Sequence, residues 1–128
     1  MERHIALLVA AAGLVSQTAT ADVVRLNALP VSLWGTWVSR VEDCNKVDKF
    51  AIFLSATSYS TSGTKCAVIS VSKTAGARGP VFSASLQCST AAEGSQDAPS
   101  NLVLLPRDGN QISVGASFDS LKTYQRCR

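Results

Sequence analysis

The chain is poor in the residues that most enzymes use. Its one histidine, His4, lies in a segment that we expect to be removed on export, which excludes Ser-His-Asp and Cys-His systems from the mature protein. Glu42 and Asp43 are adjacent carboxylates, but neighbours in a strand point to opposite faces and would not share a proton. No phosphate loop is present, because Gly76 and Gly79 flank a turn without the P-loop lysine. These absences predict a protein that is not an enzyme, with no catalytic residues and no cofactor.

Blocks of charge are also missing. The chain has 12 Lys and Arg against 9 Asp and Glu, a net charge of +3, and no run of like charge exceeds two residues. Proteins that bind nucleic acid usually concentrate basic residues in a block or along one face. We therefore expect no nucleic-acid partner.

The only long apolar run stands at the beginning. A polar start containing Arg3 precedes the run Ile5 to Val15, and Ala19-Thr20-Ala21 offers the small-x-small pattern cut by signal peptidase. The run is too short to span a bilayer, and Asp22 instead of Cys after the cut argues against a lipid anchor. We expect a signal peptide at 1–21, a single periplasmic or secreted domain at 22–128, and no transmembrane segment in the mature chain.

Cysteine is the residue that stands out among those present. Cys44, Cys66, Cys88 and Cys127 all lie in the expected mature domain, and an even count in a small exported domain is typical of disulfides. The alternative is a four-cysteine zinc site. Zinc favours close pairs such as C-x-x-C, whereas the spacings here are 22, 22 and 39 residues. The pattern favours two disulfides and no metal site.

Short runs rich in β-branched and aromatic residues follow, separated by turn residues such as Asp108-Gly109. This pattern predicts an all-β protein, a small antiparallel barrel or barrel-like sandwich of six to seven strands with two disulfides. Residues 22–32 are expected to be an entry segment, and Ser89–Ser100 a loop. The predicted strands are Trp34–Val41, Phe50–Thr57, Lys65–Ser72, Val81–Cys88, Leu102–Leu105, Gln111–Ala116 and Thr123–Cys127.

Four cysteines allow three pairings, and hairpin geometry favours one of them. If the third and fourth strands form a hairpin centred near Ala77, Cys66 faces Cys88 and Val68 faces Leu86. The same register makes Ser72 face Phe82.

Cys44 is then left to pair with Cys127. The first and last strands of a seven-stranded meander run parallel, so a closed sheet would bring together the ends that carry these two cysteines.

The two tryptophans begin the first predicted strand. Trp34 and Trp37 are three residues apart and would lie on opposite faces. With Trp37 inside, we expect Trp34 to pack under the entry segment rather than to serve as an exposed interface anchor.

Both ends of the chain carry a pattern seen in calycin barrels. Gly35-Thr36-Trp37 and the late Arg126 resemble the G-x-W start and closing arginine of lipocalins and their relatives. The resemblance implies that Arg126 stacks on Trp37 at the closed end of the barrel. The alternative is that Trp37 is an ordinary core residue and Arg126 a surface charge. A calycin-like carrier of a small apolar ligand would need an internal cavity lined by residues such as Phe50, Ile52, Leu54, Phe82 and Leu86.

The whole layout resembles a group of small exported bacterial β-barrel proteins of unknown function. Those proteins share an L-x-G-x-W start, four cysteines in the same order and a terminal Y-x-R-C, here Leu33–Trp37 and Tyr124–Cys127. The resemblance implies the fold type and the exported location, and no activity.

A weaker resemblance links the chain to periplasmic inhibitors of C-type lysozyme. The members of that family insert a serine and a lysine into the lysozyme cleft. Ser72-Lys73 near a hairpin tip is the nearest counterpart, although such a pair at a turn is usually solvated surface. We expect a binding protein of the envelope with a protein partner, contacted through loops such as Ser89–Ser100, and the ligand carrier is the alternative.

Overall fold

The computed structural model describes residues 22–90 and 98–128, together with Gly13 alone. The rest of the predicted signal peptide therefore lies outside the described residues. The described part contains nine strands and a one-turn helix α1 (Val47–Phe50), with short 3-10 helices at Val31–Leu33, Val41–Lys46 and Phe118–Ser120. The strands are β1 (Val23–Leu26), β2 (Gly35–Val38), β3 (Ala51–Leu54), β4 (Ser58–Thr61), β5 (Thr64–Gly76), β6 (Gly79–Thr90), β7 (Ala98–Pro106), β8 (Gln111–Gly115) and β9 (Lys122–Arg126).

Strands β2 to β9 form a closed antiparallel barrel. Each pairs with the next along the chain, and β9 pairs back with β2, while β1 pairs with β5 outside the ring. The prediction of an all-β antiparallel barrel is confirmed, but the count of six to seven strands is wrong. The two missed strands are β1, within the predicted entry segment, and β4, whose sequence Ser-Tyr-Ser-Thr has no apolar alternation.

The barrel interior is filled by one apolar cluster. Along each strand alternate residues point inward, so Ile52 and Leu54 of β3 meet Phe82 and Leu86 of β6 in this cluster. Phe50, which the sequence placed on the same face, is 51% exposed because it ends α1 rather than continuing β3. The fully assembled cluster is Leu29, Leu33, Trp37, Ile52, Leu54, Cys66, Val68, Val71, Phe82, Ala84, Leu86, Leu102, Leu104, Ile112 and Val114.

The long β5–β6 hairpin contains one irregularity. The expected register holds from Cys66 to Val68, and then Ile69 is an extra residue without a partner on β6. Beyond this bulge Ser72 faces Ser83, and Lys73 faces Phe82, so the expected pairing of Ser72 with Phe82 is wrong. The extra residue keeps both Val68 and Val71 on the buried face, while Ile69 itself is 57% exposed.

The strand boundaries differ from the sequence prediction most clearly around the expected loop and at the first strand. Ser89 belongs to β6, and Ala98–Ser100 belong to β7, where their pairing with β6 overrides their polar composition. The rest of the expected loop, residues 91–97, lies outside the described part. The first predicted strand ends at Val38, because Val41–Lys46 forms a 3-10 helix. Among the described residues, no helix has the length and apolar character needed to cross a membrane.

Candidate functional site

Trp37 and Arg126 meet across the seam that closes the barrel. They are direct partners in the β2–β9 register, and the guanidinium carbon of Arg126 lies 4.2 Å from the centroid of the Trp37 ring. Trp37 is 3% exposed, and its indole N–H donates to the carbonyl of Leu33 at 3.0 Å. This contact is a cation–π interaction in the position that the calycin resemblance implies.

Arg126 also ties the seam to the segment that enters β2. Its guanidinium donates hydrogen bonds to the backbone carbonyls of Trp34 and, at 2.6 Å, of Ser32. Gly35 lies directly beneath it with a φ of +136°, and a Cβ at this position would be 2.8 Å from Arg126 Nη1. The glycine of the Gly-x-Trp pattern is therefore required by its backbone conformation, and a Cβ at this position would also displace the end of the Arg126 side chain.

The two disulfides join Cys66 to Cys88 and Cys44 to Cys127, the pairs that the hairpin argument favoured. Cys66 and Cys88 face each other in the β5–β6 ladder with their Cα atoms 4.0 Å apart. This bond joins the two longest strands near the end of the barrel opposite their turn.

The Cys44–Cys127 bond arises for a different reason from the one expected. With eight strands in the ring, β2 and β9 are antiparallel, so their C-terminal ends do not meet. Instead the segment after β2 folds back over the outer face of the barrel, where it buries Val38 and leaves Asp43 only 9% exposed. Cys44 on this segment thereby comes within 5.6 Å, Cα to Cα, of Cys127 beside the start of β2.

Trp34 is both packed and exposed. Its indole N–H donates to the carbonyl of Leu29 at 2.8 Å, which places it against the entry segment as expected. The side chain nevertheless remains 39% exposed. The expectation that Trp34 is covered by the entry segment is thus only partly met.

Carboxylates and metal ligands do not gather in the described part of the chain. Glu42 is exposed, and Asp43 forms an ion pair with Arg40 at 3.7 Å, in a 3-10 helix rather than at a strand end. The described residues contain no group of three or more His, Cys, Asp or Glu side chains placed to hold a metal ion.

The tip of the β5–β6 hairpin continues past the last residues that pair with the strands on either side. On one side β1 pairs with β5 only as far as Thr74, and on the other β7 pairs with β6 only as far as Phe82. Residues Ala75–Pro80 therefore pair only with each other, and Ala75–Gly79 are exposed. We call these six residues the hairpin tip.

Cationic side chains surround the hairpin tip. Lys73 lies in a cleft of about 490 Å³ on one side, and Arg78 and Arg107 line a second cleft of about 420 Å³ on the other. Arg107 is oriented by a hydrogen bond from its Nε to the buried Ser113 hydroxyl at 2.9 Å. One carboxylate lines each cleft, Asp22 in the first and Asp108 in the second.

Positive charge predominates among the strand and turn residues at the end of the barrel with the hairpin tip. The strand directions place five cations besides Arg126 there, against two carboxylates. Glu42 and Asp43 also come close to this end, because Cys44 beside them is bonded to Cys127. The residues at the tip end are Arg25, Lys73, Arg78, Arg107 and Arg128, with Asp22 and Asp108.

Sequence reasoning missed this cationic end because its members are far apart along the chain. Arg78 stands in a recognised turn cluster, but only strand pairing shows that the hairpin continues past its pairing with the neighbouring strands. The Ser72-Lys73 pair was noticed, yet its two side chains point to opposite faces: Lys73 lines a cleft at the tip, and Ser72 a separate cleft on the outer wall. The pair cannot enter one partner cleft together as a lysozyme inhibitor's serine and lysine do.

Comparison of the chain with protein-family models, with curated proteins and with solved structures finds no match.

Proposed function

We propose that this chain is a non-enzymatic binding protein of the periplasm or cell envelope, inhibitor-like in action. Its hairpin tip enters an acidic cleft of a protein partner and occupies it. The observation that carries the proposal is that Ala75–Pro80 pair only with each other and are exposed over most of their length, with Lys73, Arg78 and Arg107 around them.

The chemistry of the tip favours an acidic partner. Arginine side chains form paired hydrogen bonds with carboxylates, and an excess of positive charge speeds encounter with an acidic surface. Clefts that contain paired carboxylates are common in glycoside hydrolases, which makes this enzyme class a suitable target for an exposed cationic hairpin tip.

The framework supports the same use. An inhibitory hairpin binds best when it is already rigid, because less conformational entropy is lost on association. Here the Cys66–Cys88 bond joins the two strands of the hairpin, and Val71 and Phe82 anchor its upper part in the core. Two disulfides are also compatible with an oxidising compartment outside the cytoplasm.

The proposal can be tested by site-specific photo-cross-linking in cells that export the protein. A photoreactive residue at Ala77, in the tip, is expected to give a defined protein adduct, whereas one at Gln87, exposed midway along β6, is not. The substitution Arg78→Glu should abolish the Ala77 adduct, because it places a carboxylate against the acidic cleft. An adduct that persists in the Arg78→Glu protein, or equal adducts from both positions, would contradict the assignment.

C-type lysozyme is the first defined enzyme to assay. We expect inhibition that weakens at least tenfold in the Arg78→Glu protein, since like charges across an interface cost several kcal/mol. Lys65→Glu, at the opposite end of the barrel, is the matched control and should leave inhibition unchanged. Absence of lysozyme inhibition together with absence of any tip adduct would refute the proposed function.

A further inference from the structure

Among the described residues, the barrel wall has a gap at the end away from the hairpin tip. Strand β8 pairs with β7 only from Val103 to Pro106, so the first part of β7, Ala98–Leu102, has β6 on one side. No described strand pairs with its other side. Because β8 ends at Gly115, it pairs with only the second part of β7.

A tight local turn produces this early ending. The chain reverses through the 3-10 helix Phe118–Ser120, which begins with a reciprocal capping arrangement of Ser117 and Ser120. The Ser120 carbonyl approaches so closely that a Cβ on Gly115 would lie 2.6 Å from it. The gap is therefore a built feature of the fold, which only glycine at this position permits.

A cleft of about 340 Å³ opens at the gap. Leu86, Leu102 and Val114, all inward-facing residues of the core, form part of its lining. Tyr59 and Tyr124 also point inward and line the same cleft, since each pairs across its ladder with a buried residue. Asn101, Ala116 and Ser120 complete the side that faces the surface. The cleft thus leads from the surface to the edge of the barrel core.

Polar groups stand around these apolar residues. Lys122, the inward-facing partner of Val114, lines the cleft and is exposed, and Ser100 stands on the β7 side. Burial, and then the proximity of Tyr124, raise the pKa of the Tyr59 phenol, which therefore keeps its proton and can donate a hydrogen bond. Apolar residues of the core and several polar groups therefore meet at this cleft, and both kinds of group are found in small-ligand sites.

We propose that this cleft binds a small aromatic carboxylate, with the ring against Tyr59, Tyr124 and Leu86 and the carboxylate at Lys122. The volume suits a ligand of one or two rings, at the lower end of the range for ligand pockets. The site differs from the internal calycin pocket considered above, since it opens through the side wall, and it is separate from the hairpin tip. The proposed ligand site does not depend on the proposed protein partner.

The binding test uses indole-3-acetate and its uncharged counterpart 3-methylindole, titrated into the oxidised protein and followed by amide NMR shifts. For ligands of this size we expect a Kd on the order of 0.1–1 mM for indole-3-acetate. Saturable shifts should be centred on Leu86, Leu102 and Tyr124. Lys122 should make indole-3-acetate bind about two- to fivefold more tightly than 3-methylindole, as an exposed ion pair allows.

Substitutions test the location. Ser100→Trp and Ala116→Trp each place an indole in the cleft from a different wall and should weaken binding at least tenfold. Two variants guard against a folding defect in one of them. Ser70→Trp, at an exposed serine of β5 outside this cleft, is the control and should bind normally.

Substitution of the lysine tests the ligand class. Lys122→Gln should abolish the preference for indole-3-acetate over 3-methylindole, whereas Lys65→Gln, at an exposed lysine outside the cleft, should retain it. Three results would each overturn the proposal. Indole-3-acetate causes no saturable shifts, or the folded tryptophan variants of Ser100 and Ala116 bind it as tightly as the parent protein does. The third is that Lys122→Gln still prefers indole-3-acetate over 3-methylindole.

Discussion

Replacing Gly35 with alanine should destabilise the protein mainly through Arg126. The new Cβ would lie 2.8 Å from Arg126 Nη1, so the guanidinium has to move away from the Trp37 ring and from the carbonyls of Ser32 and Trp34. The φ of +136° adds backbone strain that any residue with a Cβ would bear. One substitution thus disturbs both the seam and the segment that enters it.

The two costs can be separated. Backbone strain of this kind is worth about 1–3 kcal/mol. Displacing Arg126 loses a cation–π contact of about 0.5–2 kcal/mol and hydrogen bonds worth about 1 kcal/mol at a half-exposed site. We expect Gly35→Ala to lower the free energy of unfolding by about 3–4 kcal/mol. In a protein that already carries Arg126→Ala, only the strain remains, and the cost should fall to about 1–2 kcal/mol.

Urea unfolding of the four proteins in this cycle, with both disulfides intact, measures the coupling. Gly63→Ala is the matched control: Gly63 has a φ of +84° with no atom within 4 Å of a Cβ, so its cost should be the same with and without Arg126. Equal costs of Gly35→Ala in the two backgrounds, to within about 0.5 kcal/mol, would refute the argument that Arg126 makes Gly35 necessary.

Three further predictions concern other parts of the fold. Removing Cys44 and Cys127 together should lower the free energy of unfolding in urea by about 4.5 kcal/mol, and removing Cys66 and Cys88 should lower it by about 3.5 kcal/mol. The first bond is worth more because it closes the longer loop, with a sequence separation of 83 against 22 residues. The opposite order would contradict the loop-entropy argument. Deleting the bulged Ile69 should preserve the fold, because Val68, Ser70 and Val71 would then alternate regularly between the two faces of β5. A shifted register at the hairpin tip, observed by NMR, would contradict this prediction. Because the pKa of Tyr59 is raised in the folded protein, the phenol loses its proton at a lower pH in the unfolded chain than in the folded one. The free energy of unfolding should therefore be unaffected by this group below pH 10 and should fall as the pH rises further. In Tyr59→Phe the fall should be smaller, and equal falls in the two proteins would exclude Tyr59 as the source.

Much of the β5–β6 hairpin could be predicted because its signals are local. Alternation along Val81–Cys88 and the turn residues around Ala77 set one register, and that register brings Cys66 opposite Cys88. The bulge at Ile69 could not be seen in the same way. The sequence there reads as a continuous run of strand-forming residues, and only the need to bury both Val68 and Val71 shows where the extra residue stands.

Prediction failed where a neighbour from elsewhere in the chain decides the conformation. Strand β4 is polar and forms because β3 and β5 offer it hydrogen-bonding partners on both sides. Phe50 matched the period of β3 but lies outside, because the segment after β2 has to fold back over the barrel before β3 begins. The same fold-back joins Cys44 to Cys127, a pairing expected for the wrong topological reason.

In the candidate sites, too, the residues could be recognised from the sequence but their grouping depends on distant parts of the chain. The residues with chemical potential were visible in the sequence: the arginines, Lys73, the two tyrosines and the Gly-x-Trp pattern. Their grouping was not, because Arg78 and Arg107 meet only through the ends of two different hairpins, and Tyr59 and Tyr124 only through closure of the ring.

By itself, the sequence determined the fold class, the main hairpin and the pairing of Cys66 with Cys88, because period-two alternation and turn residues act over a few positions. The tertiary structure decided how many strands close the ring, which residues surround the hairpin tip and where the described part of the wall stays open. Those properties depend on how far each strand pairs with its neighbours: β5 and β6 pair with each other past their pairing with β1 and β7 at one end, and β8 pairs with only part of β7 at the other. No single stretch of sequence contains that comparison, which exists only once the strands lie side by side.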